Sequence, residues 1–131
     1  MRIIVAGCRS FNNFDLMQQA LDNFIATTDS SKVTIISGEA IGADALAKIY
    51  ASMRNLKCAD FVAPWGKLGD AAGPFRNKLM AEYALKDEDK KPVLFAFWNG
   101  KSAGTGNMIE IAKRNHIETH IIYFDDTEEN K

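Results

Sequence analysis

Short hydrophobic runs in this chain are each followed by a glycine-bearing turn and then by a helical pattern. The runs at 2–6, 33–36 and 93–98 are rich in β-branched or aromatic residues, which is typical of buried strands. Strands that are separated by helical crossovers must be parallel. The turns that follow such strands therefore lie on one edge of one sheet, where open α/β sheets bind their ligands.

The alternation continues along the chain and predicts a three-layer, Rossmann-like α/β sandwich. Further strands are expected at 60–63 and 119–124, which makes a mainly parallel sheet of about five strands. Apolar residues at helical spacing predict about four helices, at 13–27, 43–55 and 105–115, with one more that carries Phe75, Leu79, Met80 and Tyr83. We expect one domain over 1–124, followed by an acidic tail at 125–131.

Bulk composition limits the classes of partner. The formal net charge is −1 and the pI is about 6.1, so no global basic field attracts nucleic acid. No apolar run approaches the roughly 18 residues of a membrane span. Cys8 and Cys58 lack metal-type spacing and predict reduced thiols in a cytoplasmic protein. His116 and His120 share no helix face, so metal binding by them is not expected. No cofactor is expected either.

Two glycine turns in the first half of the chain predict a phosphate-binding edge. Glycines let backbone N–H groups approach a phosphate, and the helix that follows directs its positive end toward it. Arg9 adds a planar guanidinium suited to phosphate or carboxylate. Asp44 either stabilises a helix N-terminus, or it receives a ribose hydroxyl or organises the loop. The candidate ligand-binding residues here are Gly7, Arg9, Ser10, Ser37, Gly38, Gly42, Ala43 and Asp44.

The second half of the chain offers two more candidate segments. Pro74 suits the first turn of a helix, which places Arg76 and Asn77 near the same edge. The turn after the most apolar strand contributes Gly104, Thr105, Gly106 and Asn107 as a further phosphate or carboxylate cradle. It is not the dinucleotide fingerprint, whose third glycine would fall at Ile109, so NAD chemistry is not expected.

Two tryptophans follow predicted strand ends. The indoles of Trp65 and Trp98 either stack on a nucleobase or pack against the edge of the sheet. The sequence leaves both alternatives open.

These segments, in this order, resemble the small SLOG-type Rossmann-like proteins, specifically the YspA-like, cpYpsA-related branch. The similar patterns are Gly7-x-Arg9-x-Phe11, Ser37-Gly38-x-Ala40-x-Gly42-Ala43-Asp44, Ala72-Gly73-x-x-Arg76-Asn77-x-x-Met80 and Gly104-Thr105-x-Asn107-Met108. The wider superfamily includes LOG-type phosphoribohydrolases and the DNA-processing protein DprA. The resemblance implies binding of a nucleotide or a nucleotide-derived small molecule, by a sensor or a sequestering protein, and allows a homo-oligomer because relatives often dimerise.

Departures from the LOG pattern bear on catalysis. LOG-type enzymes carry an arginine that Arg76 resembles, and a glutamate at the position that Met108 occupies here. Glu110 lies about 200° further around the helix and does not substitute. Glu39 stands where the family commonly has glycine. An alternative function is a nucleotide N-glycosidase that uses a different carboxylate from the LOG-type glutamate. Its catalytic candidates are Arg76, Glu39 and Asp44. Single-stranded DNA binding is disfavoured by the acidic pI.

Overall fold

A computed structural model describes residues 1–38, 41–87 and 90–125. Its strands are β1 (Arg2–Gly7), β2 (Thr34–Ser37), β3 (Lys57–Asp60), β4 (Val93–Trp98) and β5 (Glu118–Tyr123). They form one sheet in the order β3-β2-β1-β4-β5, and every neighbouring pair is parallel. The predicted α/β class is confirmed.

Helices connect the strands. They are α1 (Phe14–Ile25), α2 (Ala43–Met53), α3 (Trp65–Leu68), α4 (Ala72–Leu85) and α5 (Ala103–Arg114). The first is capped by Asn13, whose side chain accepts a 3.0 Å hydrogen bond from the Leu16 amide. The short α3 is an addition to the four predicted helices. None of the helices in the described ranges has the length and apolar run needed to cross a membrane.

The core consists of two layers, one on each face of the sheet. Alternate residues of β1 point to opposite faces, so Ile3 and Val5 pack with α1 and α2, whereas Ile4 and Ala6 pack with α4 and α5. The central strands are buried on both sides, which explains their unbroken hydrophobic character. The predicted three-layer sandwich is thus confirmed.

The predicted position of the third strand is wrong. The strand occupies Lys57–Asp60 rather than 60–63. It lies at the edge of the sheet and is mostly exposed, so its residues carry no hydrophobic signal. The apolar segment 61–63 continues past the sheet instead. Glu39 and residues 126–131 of the predicted tail lie outside the described residues.

A polar cluster joins α1 to α2. The Asp22 carboxylate accepts hydrogen bonds from Arg54 Nε (3.0 Å) and Nη2 (2.8 Å), and from the Tyr50 hydroxyl. The hydrogen bonds from Arg54 are the main reason that the pKa of Asp22 lies below its usual value. Burial, reinforced by Asp22, raises the pKa of Tyr50.

We expect Asp22→Asn to lower stability at pH 7 and to matter less in acid. A carboxyl whose pKa is lower in the folded state stabilises the fold above about pH 4. That contribution is lost as the pH falls through the folded-state pKa. Partial exposure screens the pair, so we expect a loss of about 1 kcal/mol at pH 7. Urea denaturation at pH 7 and pH 3 measures it, with the exposed Glu82→Gln as control; an equal deficit at both pH values contradicts it.

Candidate functional site

The strand order reverses direction between β1 and β4. From β1 the chain moves through β2 to β3 on one side, and β4 then pairs with β1 on the other side. Gly7 at the end of β1 lies opposite Phe97 near the end of β4. Loops that leave such a switch point diverge and leave a crevice at the carboxyl edge of the sheet.

A cavity of about 590 Å³ occupies this crevice. Its volume is within the range that is usual for small-molecule sites. The predicted residues that line it are Gly7, Arg9, Gly38, Asp44, Arg76, Asn77, Gly104, Thr105 and Asn107. Residues from all four candidate segments therefore meet in one place.

The buried amide of Asn77 connects α4 to α5. Its Nδ2 donates to the Gly104 carbonyl oxygen (3.2 Å) and to Asn107 Oδ1 (3.0 Å). Its Oδ1 accepts from Arg76 Nε at 3.1 Å. Asn77 is only 3% exposed, so these bonds satisfy a polar group that water reaches poorly. One side chain thus fixes Arg76 relative to the last glycine turn.

Arg76 also contacts the turn that follows β2. Its Nη1 donates to the Gly38 carbonyl oxygen at 2.8 Å. A Cβ at Gly38 would lie 2.5 Å from Arg76 Nη1 and 3.0 Å from Asp44 Oδ2. A side chain at Gly38 would therefore have to displace the ends of Arg76 and Asp44, which both lie against it.

The turn that follows β2 packs against the turn that follows β1. Gly42 has φ +76°, a conformation that side chains disfavour, and it lies against the backbone carbonyls of Cys8 and Arg9. The Ala43 amide donates to the Cys8 carbonyl oxygen at 3.3 Å. Ser37 Oγ donates to the backbone oxygen of Asp44 at 3.0 Å. Ser37, Gly42 and Ala43 therefore support the turn without lining the cavity.

The start of α5 lines the cavity. Ser102, Ala103, Gly104 and Thr105 line it. The side chain of the N-cap residue Ser102 makes no capping hydrogen bond, whereas the Ser102 amide donates to Asn99 Oδ1 at 2.9 Å. Unsatisfied N–H groups and the helix dipole make such an end favourable for an anion. The Thr105 hydroxyl lies 3.5 Å from Ser102 Oγ and 3.9 Å from Cys8 Sγ.

The two tryptophans differ in their surroundings. Trp98 Nε1 donates to the Ser102 carbonyl oxygen at 3.0 Å, and its ring packs near Tyr123. Gly106 lies against the same ring. Trp98 therefore packs at the sheet edge, whereas Trp65 lines the cavity and is 59% exposed.

The remaining candidates are placed as follows. Arg9 is exposed at the cavity, whereas Ser10 is exposed beside it and does not line it. Glu39 lies outside the described residues. Met108 lines the cavity and is fully buried. Glu110 is exposed and forms an ion pair with Arg114, so it is directed away from the site, as its position on the helix predicts.

An apolar part of the cavity is absent from the sequence-based candidates. It consists of Val62, Ala63 and Pro74, with Trp65 beside them. The signal that could have found it is Pro64, which ends the apolar segment after β3 and requires a loop on this same edge. Among the described residues, no group of three or more His, Cys, Asp or Glu side chains is arranged to hold a metal ion.

The fold and the site define a Rossmann-like α/β protein with a cavity at the switch point of its sheet. The family model YAcAr (YspA, cpYpsA-related SLOG family) matches residues 1–67. The chain belongs to this family. No curated protein matches the chain. The matched residues run from β1 into α3. Arg76, Asn77 and the start of α5 lie beyond the match, and they are assigned to the site because they line the cavity.

We expect Asn77→Ala to destabilise the protein by about 1–3 kcal/mol, because it leaves buried hydrogen-bonding groups without their partner. Urea denaturation measures the loss. The neighbouring Lys78→Ala removes an exposed side chain from the same helix and serves as control. Equal midpoints for the two variants would show that the amide bridge contributes nothing.

Proposed function

We propose that the protein binds a nucleotide or a nucleotide-derived small molecule in the 590 Å³ cavity and acts as a sensor or a sequestering protein. The observation that carries this proposal is the meeting of the α5 N-terminus, where Ser102 makes no side-chain cap, with Arg9 and Arg76 in one cavity. Membership of the SLOG family supports the same ligand class.

The charges of the cavity favour a ligand with two kinds of polar group. Arg9 and Arg76 are suited to a phosphate, which they bind through charge-assisted hydrogen bonds. Asp44 and Asp70 line the same cavity and would repel a purely anionic ligand. Carboxylates accept hydrogen bonds from hydroxyl groups, so a phosphate carried on a ribose matches both sets of side chains.

Arg76 is held in position before any ligand arrives. Its Nε bonds to Asn77 and its Nη1 bonds to Gly38, while the guanidinium has further N–H donors. A cation that is already oriented loses little conformational freedom on binding. Arg76 is therefore the residue whose removal tests the site best.

We expect Arg76→Ala to weaken binding of AMP by at least about tenfold, or ~1.4 kcal/mol. Isothermal titration calorimetry on purified protein measures the affinity. Arg114→Ala makes the same change in net charge on the exposed face of α5 and should bind like the wild type. Equal affinities for the two variants would remove Arg76 from the site.

A second function, cleavage of the N-glycosidic bond, is favoured by one observation. The Asp44 carboxylate is 6% exposed and lines the cavity beside Arg76. A buried carboxylate could stabilise an oxocarbenium-like centre or activate water. Met108 supplies no such group, so the reaction would depend on Asp44 or on Glu39.

The two functions differ in the fate of the nucleotide. Binding alone predicts that AMP is recovered intact after incubation with the protein, as measured by chromatography. The glycosidase predicts that free adenine accumulates and that Asp44→Asn or Glu39→Gln slows its release by about 100-fold or more. No base released from AMP, GMP, CMP or UMP would eliminate the glycosidase.

A further inference from the structure

The anion-binding end accounts for only part of the cavity. A phosphate needs the α5 turn and the arginines, yet the cavity continues onto an apolar surface of Val62, Trp65 and Pro74. We call these three residues the Trp65 wall. Val62 is 68% exposed and Trp65 is 59% exposed. Leaving such side chains in water is unfavourable, and it is more so for an indole than for smaller groups.

The backbone of Trp65 is hydrogen-bonded, whereas its side chain is largely exposed. The backbone amide of Trp65 donates to the Ala63 carbonyl oxygen at 2.9 Å, which holds the start of α3. The ring tip, Cη2, lies 3.5 Å from the position that a Cβ would occupy at Gly73, so the indole rests against the first turn of α4. Trp65 nevertheless remains more than half exposed and lines the cavity.

We propose that Trp65 is a ligand-binding residue that stacks on the aromatic base of the ligand. The inference rests on the proposed function, because the phosphate is taken to occupy the α5 turn of the same cavity. Every base presents a π face, and stacking on an aromatic side chain is sequence-tolerant. The volume of about 590 Å³ is typical of sites for whole small molecules and leaves room beside a phosphate.

Trp98 shows what a structural tryptophan looks like in this protein. Its indole N–H is bonded to Ser102 and its ring is packed near Tyr123. Trp65 instead lines the cavity beside Pro74. The contrast assigns the packing role to Trp98 and the stacking role to Trp65.

Two probes that differ only in the base test the proposal. AMP carries adenine, and ribose 5-phosphate carries the same sugar phosphate without it. Calorimetric titrations of both are made on the wild type, Trp65→Leu and Trp65→Phe. Leucine keeps apolar bulk at an exposed site and phenylalanine keeps an aromatic face, so thermal denaturation should show all three folded.

The proposal predicts that Trp65→Leu weakens AMP binding by about tenfold, and that Trp65→Phe restores most of the affinity. Ribose 5-phosphate should bind all three proteins equally. In Trp98→Phe, where Trp65 is the remaining tryptophan of the chain, AMP should quench the fluorescence and ribose 5-phosphate should not.

The outcomes separate this inference from the function on which it rests. If AMP binds the wild type and Trp65→Leu equally well, the stacking role is wrong while the binding function stands. If Trp65→Leu weakens both probes to the same extent, Trp65 is structural and the inference also fails. If neither probe binds the wild type, the proposed function itself is overturned, and the inference with it.

Discussion

The parallel pairing of β1 with β4 is the contact on which the rest of the molecule depends. Both strands lie in the middle of the sheet and are covered by helices on each face, so their apolar side chains are almost completely buried. Because the chain leaves β1 toward β2 and returns to β4 on the opposite side, the loops after these two strands diverge. The cavity opens between those loops and is closed further by residues that follow β2 and by α4.

The sequence predicted the features that depend on local pattern, and it failed where the pattern was weak or the contact distant. Hydrophobic runs and helical spacing placed β1, β4 and the long helices, because burial on both faces demands such runs. The edge strand β3 was placed three residues too late, since Lys57 and Asp60 carry no hydrophobic signal. The hydrogen bond from Arg76 to Gly38 joins residues 38 positions apart, and no local spacing can reveal it.

Gly38 lies against two charged side chains, Arg76 and Asp44. The cavity brings the Arg76 guanidinium and the Asp44 carboxylate against the same backbone atom, where a side chain would displace both. Opposite charges held near a cavity lower the cost of burying either one. Arg76 is also bonded to Asn77, which in turn is bonded to Gly104. These hydrogen bonds connect the turn after β2, α4 and α5 around the cavity.

The residues beyond the matched family segment decide which chemistry this framework favours. Family membership rests on residues 1–67, whereas Met108 and the α5 turn lie in the second half of the chain. Met108 lines the cavity with an apolar thioether that cannot activate water or stabilise a developing positive charge. The first residues of α5 line the same cavity beside it. Under the proposed function, an apolar side chain at this position favours retention of a ligand over its hydrolysis.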